Sequence, residues 1–158
     1  MSRQAEKYHL SLAGEFYVAA ELQRRGIAAA VTYGNAKKAD VVAFSTGSLA
    51  VAIEVKSTPG ERWVVGGWVP QPSSAPWVFV HIPADALTPP SFYVLSQQQL
   101  FDVLSPGDVA YRRNYLARHG VEYGDRRGVV NLSRRGAEPF KDRWATIIDL
   151  LKTVPSAP

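Results

Sequence analysis

The chain contains no cysteine. Disulfides, thiolate nucleophiles and cysteine-ligated zinc are therefore excluded, and the composition fits a reducing cytoplasm. Long apolar runs are missing too. The run from Ile27 to Val31 falls far short of the roughly 20 residues a membrane-spanning helix needs. Met1 to Lys7 is polar, and no basic stretch leads into an apolar core, so no export signal is read there. A cytoplasmic chain without a membrane partner is expected. His9, His81 and His119 are too scattered for a metal triad. No GxSxG elbow, P-loop or GxGxxG turn is present, and Val65-Gly66-Gly67-Trp68 lacks the spacing that cradles a phosphate.

What is present suits one globular unit. The 158 residues, 46% apolar and 20% charged, are enough to bury a core and far from a disordered composition. The expected organisation is a single domain over 1–158, with a core at about 3–104 and a basic C-terminal segment at 105–151. The placement of charge supports that division. Met1 to Leu104 carries eight Lys/Arg and eight Asp/Glu, whereas Ser105 to Arg143 carries nine against five. The whole excess of +4 thus lies in one segment. Such a patch points to an anionic partner, DNA first, although a solvated arginine-rich surface has the same pattern. Arg112, Arg113, Arg118, Arg126, Arg127, Arg134 and Arg135 are the candidate phosphate contacts. Lys37 and Lys38 could hold the backbone nearer the site.

The apolar pattern predicts a helix over Ser2 to Arg25, with Tyr8, Leu12, Ala19 and Leu22 on one stripe. Arg24, Arg25 and Gly26 form a good stop. Strands are expected at Ala28 to Tyr33, Asp40 to Phe44 and Leu49 to Lys56. The last two should pair as an antiparallel hairpin across a short, turn-rich linker. Thr58 to Pro76 holds four prolines and three glycines and reads as a long loop. Trp63, Trp68 and Trp77, in or beside it, could stack on bases or pack the loop down. Further strands are expected at Trp77 to Ile82 and Phe92 to Leu95. Ser96 with Gln99 forms a capping box for a helix that Pro106 and Gly107 should end. Beyond it, a helix near Tyr111 to His119, a strand near Val129 to Leu132 and a helix over Lys141 to Leu151 are expected. The order implies an α/β sandwich around a mixed sheet.

The third strand carries the chemistry. Side chains alternate, so Leu49, Val51, Ile53 and Val55 face one way and Ala50, Ala52, Glu54 and Lys56 the other. Glu54 and Lys56 alone would pass for a solvated ion pair of little consequence. Asp40, at the open end of the same hairpin, changes the balance, although aspartate also serves as a turn residue. Glu15 fills the gap in the helix stripe and should face the protein, where a carboxylate is costly unless paired or metal-bound. A salt bridge to Arg25 or Lys56 would also satisfy it. Gly14 beside it would permit close approach to the sheet. Carboxylates and a lysine converging on one point suit phosphodiester hydrolysis with magnesium.

Asp40, followed fourteen positions later by Glu54-Val55-Lys56, resembles the PD-(D/E)xK signature of the restriction-endonuclease-like nuclease superfamily. Ala39 stands where the signature name has proline. The helix carrying Glu15 fits the same pattern, and the likeness runs from Glu15 to about Leu104. Small members, such as archaeal Holliday-junction resolvases and some homing endonucleases, look similar through this region. The resemblance implies a restriction-endonuclease-like fold and a DNA endonuclease using Mg²⁺ or Mn²⁺. It also implies that Asp40, Glu54 and the Val55 backbone carbonyl bind the metal, that Lys56 serves the attacking water and that Glu15 assists. A single site cuts one strand, so double-strand cutting would require a homodimer. The alternative is a catalytically idle nuclease-fold module that only binds DNA, within a defence or repair assembly. A purely structural protein is the third reading.

Overall fold

The computed structural model describes residues 2–33, 39–46 and 49–152. Helix α1 spans Arg3–Arg24 and is capped by the Ser2 side chain, which accepts from the Ala5 N–H. It ends as the sequence predicts. Gly26 sits at φ 75°, and the N–H groups of Gly26 and Ile27 return to the Gln23 and Leu22 carbonyls. That left-handed turn is open to glycine at no steric cost. The buried stripe is Gly14, Glu15, Val18 and Leu22, whereas Tyr8, assigned to it from the sequence, is exposed.

The main sheet has five strands in the order β1 (Ala28–Val31), β2 (Val41–Phe44), β3 (Ala50–Thr58), β5 (Pro76–His81) and β6 (Ser91–Ser96). β1–β2, β2–β3 and β5–β6 are antiparallel, and β3–β5 is parallel. The expected hairpin and mixed sheet are both present. On one face, Val41, Ala43, Ile53, Val55, Val78 and Val94 pack against Val18 and Leu22 of α1 and Ile147 and Leu151 of α4 (Ala145–Lys152). α4 starts later than the predicted Lys141, because Asp142 takes a left-handed φ of 53° that interrupts any helix there.

The opposite face corrects two expectations. The stretch read as loop contains β4 (Arg62–Gly66), which pairs antiparallel with β7 (Val130–Ser133) as a two-stranded ribbon. Trp63, Val65 and Leu132 of that ribbon bury themselves on Phe79, Tyr93, Leu95 and Leu100. Trp63 is the anchor: it is fully buried, touches Phe79 and Tyr93 edge-on, and its indole N–H donates to the Val80 carbonyl at 2.9 Å. Helix α2 (Gln97–His119) covers the same face. Its capping box of Ser96 and Gln99 forms as predicted. It does not stop at Pro106, however, but runs to Gly120, whose φ is 70°. Proline removes one helical hydrogen bond, and the Ser105 hydroxyl donates to the Phe101 carbonyl at 2.5 Å in the same turn. Packing of the later turns carries the helix onward, as Tyr111 and Tyr115 meet Tyr123. A short helix, α3 (Arg134–Ala137), and a 3₁₀ turn (Glu138–Phe140) lead towards α4. Among the described residues no helix is long and apolar enough to cross a membrane.

Candidate active site

An offset in the sheet creates the site. The first half of β3, residues 50–53, pairs only with β2, and the second half, residues 54–58, pairs only with β5. Among the described residues, no strand lies beside the later half of β3 on the β2 side. Asp40 sits at this notch, immediately before β2. Its Oδ2 accepts from the Val55 N–H at 2.8 Å, and its own N–H donates to the Ile53 carbonyl at 3.1 Å. The carboxylate thus continues the ladder where the strand stops. The N–H and C=O of a strand residue point to the same side, so the Val55 carbonyl also faces the notch. Thr32 braces the turn: its N–H donates to the Asp40 carbonyl at 3.0 Å, and its hydroxyl donates to the Ala39 carbonyl.

Helix α1 closes the notch from one face of the sheet. Gly14 makes the approach possible, because a Cβ there would lie 1.8 Å from the Ser57 Oγ and 3.0 Å from its Cβ. The Ser57 hydroxyl is buried with no hydrogen-bond partner among the described residues. This contact carries the next residue, Glu15, into the protein, where it is 4% exposed; Asp40 is 9% exposed. The result is an open cleft of about 650 Å³ lined by Glu15, Asp40, Val55, Lys56, Ser57 and Arg62, with Lys7 and Trp63 among its other walls.

Glu54 and Lys56 lie on the opposite face of β3 from Val55, as alternation requires. Lys56 reaches the cleft, and its ammonium is ion-paired with Glu54 and lies 5.6 Å from the Trp77 ring. Glu54 does not line the cleft. It borders a neighbouring hollow with Ala39, Ala52, Trp77 and Gln97. The structure thus brings Glu15, Asp40, Val55 and Lys56 to one opening and joins Glu54 to it through Lys56. Among the described residues no three acidic or histidine side chains cluster closely enough to share an ion. Glu15 has an interaction partner of its own; of the two cations considered for it, Arg25 pairs with Glu21 at 2.5 Å and Lys56 with Glu54.

The basic residues divide into tied and free. Arg112 pairs with Asp108 at 2.7 Å and donates to the Gly124 carbonyl. Arg126 donates to the Tyr115 hydroxyl, and Arg127 lies over the Trp68 ring. Arg134 pairs with Glu61 at 2.8 Å, and a hydrogen bond with Tyr93, ahead of the Glu61 charge, raises its already high pKa. Arg113, Arg118 and Arg135 are exposed. Lys37 and Lys38 lie outside the described residues. Sequence reading missed Lys7, Arg62 and Ser57 as cleft residues. Lys7 was within reach, being two helical turns before Glu15. Arg62 was hidden, because β4 shows itself only through pairing with distant β7.

No protein-family model matches the chain, and no curated protein matches it in sequence. Among solved structures, one that matches is a bacterial homing endonuclease, I-Ssp6803I. The two share 13% identity and superpose with a TM-score of 0.52, over 90% of this chain and 93% of that one. At that identity the likeness speaks for the fold: this chain folds like a homing endonuclease, as a mixed sheet flanked by helices.

Proposed function

We propose that this protein is a metal-dependent endonuclease of the PD-(D/E)xK type, hydrolysing phosphodiester bonds in DNA. One observation carries the reading: two buried carboxylates, the Val55 backbone and the Lys56 side chain meet at one open cleft cut into the sheet edge. The nuclease fold agrees with it.

The donor set fits a hard ion, since the Glu15 and Asp40 carboxylates and the Val55 carbonyl offer only oxygen. Magnesium is often held by one or two protein carboxylates, with water and phosphate filling the rest. A pair is therefore sufficient without a third acid. When bound, Mg²⁺ or Mn²⁺ supplies polarisation of the phosphoryl group and acidification of water. The chain does the remaining work. Asp40 is fixed by its bond to Val55, so its carboxylate keeps one orientation at the notch. Gly14 seats α1 so that Glu15 stays at the notch. Lys56 places positive charge where phosphate charge accumulates and steers the attacking water. Glu54 holds that ammonium and stands ready as a further ligand. Arg113 and Arg135, being exposed, grip the DNA backbone; Lys37 and Lys38, just ahead of Asp40 in the sequence, are further candidates. Cutting both strands of a duplex requires a homodimer.

A second reading, a DNA-binding module with an idle site, is favoured by one observation: Lys56 is engaged by Glu54, and Glu54 turns to the neighbouring hollow. Calorimetric titration of Mn²⁺ into the protein, free and bound to DNA, separates the two. The nuclease reading expects binding that weakens at least tenfold in Asp40→Asn, a variant that can still accept from the Val55 N–H. No metal binding with DNA present favours the idle module.

A further inference from the structure

We propose that a second cavity, behind the ribbon from the cleft, receives an unpaired nucleobase of the bound DNA. This rests on the nuclease reading and narrows its substrate to DNA with an unpaired or extruded base near the cut. The cavity, about 440 Å³, lies between the middle of α2 and β7. Ligand pockets run to about 300–1,000 Å³, and a base with its sugar fits within that range. Gly107 forms part of its wall, and a Cβ there would meet nothing within 4 Å. Gly107 and Tyr111 are four residues apart on α2, so they share a face.

The lining suits a planar, hydrogen-bonding ligand. Tyr111 is 55% exposed, and its ring meets Tyr123 edge-on at 5.3 Å, which leaves an aromatic face for stacking. Asn131 and the Ser133 hydroxyl supply polar groups at the same cavity. A phosphate suits it less well. The Asp108 carboxylate is part of the lining, and the guanidinium of Arg112 is already held by Asp108 and the Gly124 carbonyl. Base–aromatic stacking tolerates any sequence, because every base has a π-face.

The position agrees. Arg62, Trp63 and Val64 of β4 line the cleft, whereas Val130 to Ser133 of β7 line the cavity. Both openings thus border one two-stranded ribbon whose strands lie about 4.8 Å apart, and a bound DNA strand crossing the ribbon meets both. Extruding a base from a paired duplex costs stacking and pairing, whereas a single-stranded or branched substrate has already met that cost. The cavity therefore favours such substrates.

The test uses the whole protein with EDTA, so that cutting plays no part. A single-stranded oligonucleotide carrying 2-aminopurine is compared with the paired duplex, using wild type, Gly107→Leu and Tyr111→Ala. Gly107→Leu adds bulk at the cavity wall from a position where a Cβ meets nothing within 4 Å, and leucine favours the helix, so its unfolding midpoint should not fall below wild type. The expected result is quenched fluorescence with wild type and about tenfold weaker binding of the unpaired strand by each variant, with duplex binding unchanged. Absence of quenching with wild type, or equal binding by wild type and Gly107→Leu, overturns the inference. The nuclease reading fails separately: cavity-dependent quenching in a protein that cuts nothing removes the catalysis and leaves the base site standing.

Discussion

Replacing Gly14 with alanine should damage the protein despite improving the helix. Alanine in a helix interior gains about 0.8–1 kcal/mol over glycine. Against this stands the added Cβ, 1.8 Å from the Ser57 Oγ. Overpacking of this kind costs about 1–3 kcal/mol, so Gly14→Ala should lose about 1 kcal/mol net. With a urea slope of about 2 kcal/mol per molar, the midpoint should fall by about half a molar. Ser57→Ala acts in the opposite direction. It removes a buried hydroxyl that has no partner among the described residues, a group that costs about 1–3 kcal/mol, and so should stabilise. In the double variant only the Ser57 Cβ, 3.0 Å away, remains as the close contact. The double variant should therefore exceed Ser57→Ala in stability, and the cycle should show a coupling of about 1–2 kcal/mol. Urea denaturation of the four proteins measures it. A Gly14→Ala variant as stable as wild type, with no coupling to Ser57, would refute the close approach that seats Glu15.

Trp63→Ala should cost about 3–5 kcal/mol, because it empties the centre of the second core and strands the Val80 carbonyl; a urea midpoint within error of wild type would contradict this. At Glu21, burial pushes the carboxyl up, but hydrogen bonds and charges from Arg25 and Arg24 outweigh it and bring it below its ordinary 4.5. A lowered folded pKa gives stability that is complete above the unfolded value and lost as pH falls through the folded one. Glu21→Gln should thus destabilise at pH 7 by about 0.3–0.5 kcal/mol per exposed pair, and the difference should vanish well below pH 4.5, read from unfolding curves at both pH values. Arg113→Ala and Arg135→Ala should each reduce the salt dependence of DNA binding by a slope of about 1, measured by anisotropy across a salt series. Arg134→Ala should instead lower stability and leave that slope unchanged, since its guanidinium is held by Tyr93 and Glu61.

What the sequence reveals is local. The β2–β3 hairpin, the Ser96 capping box and the Gly26 stop each depend on neighbours a few residues away, and each forms as read. Glu15 was legible as an inward carboxylate, because α1 is long enough for its phase to show. Its stripe was misdrawn at Tyr8, which is exposed, since burial on α1 begins only at Gly14. The β4–β7 ribbon was not legible: its partners are more than sixty residues apart, and the prolines and glycines around Trp63 mask a short strand. The same distance concealed Arg62. Pro106 and Gly107 are genuine helix breakers, overridden here by tyrosine packing that no local pattern announces. At the site, alternation correctly put Glu54 and Lys56 on one face of β3. It could not show that the offset between β2 and β5 leaves Glu54 beside a second hollow.

The central claim is tested most directly by nicking of supercoiled plasmid with Mg²⁺ or Mn²⁺, using wild type, Asp40→Asn, Glu54→Ala and Lys56→Ala. The account predicts metal-dependent nicking by wild type that disappears in all three variants while the proteins remain folded. No cutting of plasmid or branched DNA by wild type, with salt-sensitive DNA binding that survives all three substitutions, would contradict it and leave the binding module.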